Sequence, residues 1–147
     1  MSSMFDNATR AEFQQRIGSL TPNATRKWGR MSPQQVLCHL GDQLRVALGD
    51  IPTKPLAGPL RYSPFKEIVI GPLPWPHGAK SPPETWTTKP GEWERDKATL
   101  TELLERFGSR GSQQKWPDHP RFGSMTRDLW GRLTCKHFNH HLTQFSA

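Results

Sequence analysis

The chain has 147 residues, six Trp and seven Phe, which is enough for one domain with a substantial apolar core. It contains no apolar run of about 18 residues, and its first residues lack the charged and then apolar layout of a signal peptide, so we expect a soluble, cytoplasmic protein with no membrane partner. The net charge of +7 permits a polyanionic partner, but Lys and Arg are spread over the whole length without a basic run, which argues against a dedicated nucleic-acid surface.

Apolar residues at near-helical spacing predict a first helix over residues 8–19, which Pro22 ends. A second helix is predicted from Pro33 to Gly49. Ser32 is its N-cap and Gln35 completes a capping box, while Gly49 is a natural stop.

His39 lies at the edge of the apolar stripe of this second helix. An edge position suits a ligand that faces a cleft between helices, and it equally suits a half-exposed histidine without a function. The stripe itself consists of Val36, Leu40, Leu44 and Ala47.

Residues 50–91 hold ten of the fourteen prolines, which excludes a long regular element. The stretch is predicted to be a long crossover that packs on the domain through Trp75, Trp86 and the apolar residues 65–70. Two interpretations stay open: a lid or pocket wall, and simple packing over the end of a helix bundle.

A third helix is predicted over residues 91–107, ending at Gly108, with its apolar residues facing inward. A loop over 108–124 follows, in which His119 is interpreted as a turn residue between Asp118 and Pro120. The inward residues of the helix are Trp93, Leu100, Leu103, Leu104 and Phe107.

The last helix, capped by Ser124 or Thr126, places His137 and His141 within its apolar arc. Residues four apart in a helix lie only about 40° apart around its axis, so both imidazoles can reach one ion. A buried imidazole without a partner costs about 1–3 kcal/mol, which a metal would relieve. The alternative is a pair of core histidines hydrogen-bonded to the backbone or to each other. His140 is also a neighbour of His137 but lies nearer the edge of the arc, so His141 is the preferred ligand.

Together with His39, these residues predict a three-histidine site for a divalent metal between two helices. Gln144, on the same face as His137, is predicted to orient a ligand or a bound water. Cys38 and Cys135 point away from the histidine and apolar faces on their helical wheels and are predicted to be free, reduced thiols. Four helices with one long crossover predict an all-α, four-helix bundle that forms a single domain over residues 1–147.

The helix pair just described resembles the DinB/YfiT-like superfamily of four-helix bundles, over nearly the entire chain. Within it the chain resembles a DinB-related subgroup of undefined function. The segments that carry the resemblance are residues 28–40 from Trp28 to Leu40, His119-Pro120-Arg121-Phe122-Gly123, Trp130-Gly131-Arg132-Leu133, and residues 136–145 from Lys136 to Phe145.

The resemblance implies that His39, His137 and His141 bind a divalent ion, usually zinc or nickel, with water in the remaining positions. Many members of the superfamily continue the last motif as His-Arg-Gly-Gln, whereas this chain has His141-Leu142-Thr143-Gln144 and lacks the arginine. The superfamily includes thiol-dependent transferases and isomerases, proteins described as hydrolases, and many members without a known activity.

The sequence therefore predicts a metal-dependent enzyme, a hydrolase or a thiol-dependent transferase, acting on an unidentified small molecule. Three imidazoles and an open position lower the pKa of a bound water to about 7, or hold a thiolate against a Lewis acid. No general acid or base is identified, since Asp42 faces a different side of its helix from the apolar stripe. The alternatives are a bundle with a structural or vestigial metal site, a metal-free bundle, and a basic nucleic-acid-interacting stress protein. The aromatic content is compatible with a homodimer, although no residue identifies an interface.

Overall fold

In the computed structural model, residues 2–110 and 115–147 are described; residues 111–114, inside the predicted loop 108–124, lie outside that set. In the described ranges every regular element is a helix, and the only β-pairing is an isolated bridge between His119 and Gly123. The five α-helices are α1 (Asn7–Ser19), α2 (Pro33–Leu48), α3 (Phe65–Ile70), α4 (Trp93–Gly108) and α5 (Arg127–Leu142). None of these helices has the length and apolar character needed to cross a bilayer.

Helix α2 begins and ends where the sequence predicts. The Ser32 hydroxyl accepts a hydrogen bond from the Gln35 amide N–H at 3.1 Å, and the Gln35 side-chain oxygen accepts one from the Ser32 N–H at 2.8 Å. Gly49 ends the helix with a φ of +81°, a left-handed conformation that a residue without Cβ adopts at little cost. The capping box thereby fixes the register in which His39 projects from the helix.

The four long helices contact one another in pairs. Helix α2 contacts α4 and α5, and α1 contacts the same two helices. Their shared core is built from fully buried side chains, each of which contributes about 1.5–3 kcal/mol on transfer from water. The largest of these are Trp130, Phe107, Phe138, Met4, Ile17, Leu40, Leu44 and Leu104.

The N-terminal segment is fastened to α5 at Gly131. The Met4 N–H donates to the Gly131 carbonyl at 3.1 Å, and a Cβ at position 131 would lie 2.7 Å from the ring of Phe5 and in collision with the Ser3 hydroxyl. Only glycine allows this close approach, which buries Met4 against the last helix.

The connection between α2 and α4 contains α3 and two single 3₁₀ turns, Pro59–Arg61 and Pro83–Trp86. The sequence predicted that residues 65–70 pack on the domain but did not predict that they form α3. Lys136 of α5 holds the end of this helix, since its ammonium group donates to the carbonyls of Val69 at 2.7 Å, Gly71 at 3.0 Å and Leu73. The connection is thus fixed to the same helix that carries His137.

Both cysteines are free, as predicted, but neither faces solvent. Cys38 packs toward α4 with its sulfur 3.8 Å from an Asp96 carboxylate oxygen, and Cys135 lies in the apolar core. Burial raises the pKa of the Cys38 thiol to about 11 and that of Cys135 to about 12. The helical wheels missed this burial because other elements pack on nearly every side of α2 and α5.

Candidate metal centre

His39 from α2 and His137 and His141 from α5 form one buried cluster. One ring nitrogen of each lies within 4.8 Å of those of the other two, and the residues are 1%, 7% and 7% exposed. The sequence placed His39 at the edge of a stripe, whereas the structure buries it. The reason is the 3₁₀ turn Pro83–Trp86, which contacts α2; the Trp86 ring stacks on the His39 ring with 4.4 Å between centroids.

In two of these rings, His39 and His141, a hydrogen bond determines which nitrogen carries the proton. His39 Nδ1 lies 2.8 Å from the Thr85 carbonyl oxygen, which can only accept, so Nδ1 carries the hydrogen and Nε2 keeps its lone pair. His141 Nδ1 lies 3.0 Å from the Gln144 side-chain oxygen and is fixed in the same way. Both rings therefore present Nε2 as a ligand atom.

The third ring, His137, has its Nε2 2.9 Å from His39 Nε2, while its Nδ1 is buried without a hydrogen-bond partner. Two nitrogens bound tetrahedrally to one zinc ion at 2.0–2.1 Å are separated by about 3.3 Å, so a shift of a few tenths of an ångström from this spacing would admit the ion. Three ring nitrogens that converge, two of them with lone pairs fixed toward the cluster, fit a metal. An all-imidazole set suits zinc or nickel.

The electrostatics of the cluster keep the three rings neutral. Burial is the main cause in each case: it lowers the pKa of His39 to about 4, that of His141 to about 3, and that of His137 well below its usual value. Mutual repulsion between the rings adds to the effect for His137 and His141. Neutral imidazole is the form that binds a metal, so the cluster is ready to bind one at neutral pH.

Gln144 is held in position by the loop that precedes α2. The Lys27 N–H donates to the Gln144 carbonyl at 2.7 Å. Gly29 has a φ of +87°, and a Cβ there would collide with the Gln144 side-chain nitrogen. The sequence predicted that Gln144 would orient a ligand, and the structure places its oxygen on the ring of His141.

Asp42, which the sequence analysis placed on a different side of α2 from the apolar stripe, is fully buried and anchors a loop. Its carboxylate accepts hydrogen bonds from the Thr87 N–H at 2.9 Å, from the Thr88 N–H at 2.8 Å and from the Arg45 guanidinium at 2.9 Å. These bonds hold the segment that brings the Thr85 carbonyl to His39. The spacing of Asp42 three residues after His39 was the only signal in the sequence, and its partners lie in a loop.

A cavity of about 300 Å³ adjoins the cluster. His137 and His141 form part of its wall, and the connection between α2 and α4 supplies much of the rest. Crossover residues in the wall include Leu60, Val69, Leu73, Pro74, Trp75, Pro76, Ser81, Pro82 and Thr85. The lining is mainly apolar, which is usual for small-molecule sites.

His140 and His77 lie outside the three-residue cluster. The His77 ring stacks on Trp28 at 3.7 Å between centroids, and the half-buried His140 meets the same indole edge-on at 4.8 Å. Of the two candidates His140 and His141, it is His141 whose ring nitrogen joins those of His39 and His137. His119, interpreted from the sequence as a turn residue, is in a turn but is buried in the cavity wall.

Comparison with known proteins gives one family. The family model described as the DinB superfamily matches residues 6–145, nearly the whole chain. No curated protein and no solved structure gives a significant match.

Proposed function

The chain belongs to the DinB superfamily, and on that premise we propose that it is a metal-dependent enzyme whose divalent ion is held by His39, His137 and His141. The observation that supports this most strongly is the convergence of three neutral, buried imidazoles, two of which line a cavity. Zinc or nickel is the proposed ion, because an all-nitrogen ligand set suits both and the resemblance to the superfamily implies these two.

The arrangement supports a catalytic site more than a structural one. Structural zinc sites are closed by four protein ligands, whereas catalytic sites keep a position open. The cluster found among the described residues supplies three ligands and borders a cavity large enough for a small molecule.

We propose that the reaction is either a hydrolysis or a thiol-dependent transfer. A divalent ion bound here would supply Lewis acidity, which lowers the pKa of a bound water to about 7 or favours the thiolate form of a thiol. The chain itself performs the orienting: the Thr85 carbonyl and the Gln144 amide oxygen hold the rings of His39 and His141 with Nε2 toward the cluster. The apolar wall around Trp75 keeps bulk water away from a bound substrate.

We further propose that α1, α2, α4 and α5 form a four-helix bundle of the DinB type and that the connection between α2 and α4 is its crossover. The pairwise contacts of these helices support this arrangement. The connection contributes to the wall of the cavity, which favours a role as a pocket wall over packing at the end of a bundle.

The test is the metal content of protein purified without a metal-affinity tag, by elemental analysis, for the wild type and single histidine variants. We expect about one equivalent of zinc or nickel in the wild type and its loss in His39→Ala, His137→Ala and His141→Ala. His140→Ala is the matched control, because this histidine is the direct neighbour of His141 but is outside the cluster, and it should keep the metal.

Absence of metal from the wild type after reconstitution would contradict the proposal. Metal that remains bound in the wild type, together with no turnover of ester, amide or thiol substrates at any metal loading, would favour a structural site instead.

A further inference from the structure

Arg121 places a positive charge without a counter-ion in the wall of the cavity. The residue is half-buried, and its backbone N–H donates to His119 Nδ1 at 3.0 Å. Burial, and after it the charge of Arg121, lowers the pKa of His119 to about 3, which agrees with a guanidinium near that ring. Across residues 2–110 and 115–147, the guanidinium has neither a carboxylate nor another hydrogen-bond partner. An anion in the cavity would replace the hydration that it has lost.

Three other basic residues near the cavity already have partners. The Lys136 ammonium group donates to three carbonyls of the connection between α2 and α4. Lys66 donates to a backbone carbonyl at 2.7 Å, and the Arg61 guanidinium donates to one at 3.1 Å. These three contacts fasten the connection to the rest of the fold. Arg121 has no such role, so its guanidinium is left for a group that is not part of the described chain.

The charged side chains in the wall of the cavity are positive. Lys80, which is exposed, lines the cavity together with Arg121, and no Asp or Glu of the described residues does so. His137 and His141 are neutral because burial lowers the pKa of each. Charges at an apolar wall act more strongly than in open water. The wall therefore disfavours a cationic ligand, and a neutral ligand would leave Arg121 without a partner.

The rest of the wall requires that the anion carry an apolar body. Phe122 and Leu133 are buried, Trp75 is half-buried, and all three line the cavity. The volume of about 300 Å³ is at the lower end of the range for ligand sites, which suits a short chain or a single ring. A polyanion would bury several charges against hydrocarbon at a high cost in hydration. A small molecule with one negative charge fits best.

We propose that this cavity binds small apolar monocarboxylates, whose carboxylate pairs with the Arg121 guanidinium and whose hydrocarbon part occupies the apolar remainder of the cavity. The planar guanidinium fork matches the geometry of a carboxylate and can bind both of its oxygens. Two of the proposed metal ligands, His137 and His141, line the same cavity. As a substrate class the assignment rests on the proposed function, but binding can be measured without turnover.

The probes are phenylacetate, phenylacetamide and phenethylamine, which share one skeleton and carry a negative charge, no charge and a positive charge at neutral pH. Calorimetric titration of metal-free wild-type protein should give about 10- to 100-fold tighter binding of phenylacetate than of phenylacetamide, the usual worth of a charge-assisted hydrogen-bonded pair. Phenethylamine should bind most weakly. Metal-free protein is used because a bound ion could itself attract the carboxylate, and zinc-loaded protein is titrated in parallel.

Arg121→Gln should abolish the preference for phenylacetate while phenylacetamide binds as before. Arg121→Met provides the same test if the glutamine variant fails to fold, and helical circular dichroism checks the fold of each. Lys54→Gln is the matched control, because it removes the same charge from an exposed residue that does not line the cavity. It should keep the preference.

Equal binding of phenylacetate and phenylacetamide to the metal-free wild type, binding of neither, or a preference that survives in folded Arg121 variants would overturn the proposal. A preference that requires zinc would also overturn it, because the carboxylate would then bind the ion and not Arg121. The predicted preference in a protein that binds no metal would leave the cavity assignment standing and contradict the proposed enzyme. Metal binding without the preference would do the opposite.

Discussion

The Nε2 atoms of His39 and His137 lie 2.9 Å apart although the residues are 98 positions apart in the chain. Since the Nδ1 of His39 donates to Thr85, its Nε2 can only accept, and without a metal His137 must supply the hydrogen between the two rings. That leaves His137 Nδ1 as a buried acceptor with no partner. A metal on these Nε2 atoms would replace this hydrogen bond and move the His137 proton to Nδ1, so we expect metal binding and stability to be coupled in this protein.

The loop residue Gly29 is predicted to affect metal affinity through Gln144, whose side chain lies against it and contacts His141. In Gly29→Ala the new Cβ collides with the Gln144 side-chain nitrogen, so the amide oxygen moves away from His141. We expect metal affinity to fall about 10- to 100-fold, the usual cost of losing a partner of a metal-bound histidine. Competition with a chromophoric chelator measures the affinity.

Gly49→Ala is the matched control for this variant, since Gly49 has a similar φ of +81° but a Cβ there meets nothing within 4 Å. Both variants should lose about 1 kcal/mol of stability from backbone strain. Only Gly29→Ala should lose metal affinity; an equal loss in both would argue that Gln144 has no part in the site.

Replacing the buried Asp42 is predicted to disturb His39 through residues 85–88, because Asp42 binds Thr87 and Thr88 and the Thr85 carbonyl contacts His39. In Asp42→Asn the charge is lost and one acceptor becomes a donor, which faces either the N–H groups of Thr87 and Thr88 or the Arg45 guanidinium. We expect a loss of about 1–3 kcal/mol in the free energy of unfolding and weaker metal binding, because the Thr85 carbonyl shifts from His39. Urea unfolding and chelator competition check the two effects.

Asp50→Asn removes a carboxylate from a partly exposed ion pair with Arg106 and serves as the control. It should cost no more than about 1 kcal/mol and should leave metal affinity unchanged. If Asp42→Asn behaved like this control, the proposed positioning role would be wrong.

Metal-free protein is predicted to lose stability as the pH falls below the ordinary histidine pKa of 6.5. In the unfolded chain each histidine takes up a proton near that value, whereas in the folded protein the pKa is held by burial at about 4 for His39 and about 3 for His119 and His141. The unfolded state therefore binds more protons throughout this window. The free energy of unfolding should fall by about 1.4 kcal/mol per pH unit for each histidine.

Urea unfolding curves recorded from neutral pH down to about pH 4.5 test this slope. In His39→Phe the slope should be shallower by about 1.4 kcal/mol per pH unit, the contribution of one histidine. A stability that did not change over this window would mean that the rings are solvated and not buried as described.

The elements that depend on local signals were predictable from the sequence. The capping box at Ser32 and the stop at Gly49 act within a single turn, and the structure has both where they were predicted. Of the two predicted caps of the last helix, Ser124 and Thr126, the structure has Thr126. The spacing of His137 and His141 placed both on one face of α5, which the structure bears out.

The features that depend on distant segments were not predictable. The burial of His39 comes from the turn at Pro83–Trp86, and the role of Asp42 comes from amide groups 45 and 46 residues away. His119 reads as an ordinary turn residue because nothing near it in the sequence indicates that its turn forms a cavity wall. A helical wheel shows which residues share a face of a helix, but it does not show which distant segments pack against that face.

Two of the three proposed ligands come from α5, the last of the described helices to be synthesised. A growing chain that has made α2 but not α5 offers only one of the three proposed ligands, which is too few to retain a divalent ion at this site. Metal uptake must therefore follow the docking of the last helix, after most of the core has had the opportunity to form. If the proposed site is correct, chains that lack α5 would not retain the ion, and a bound ion would mark a molecule in which α5 has docked on α2.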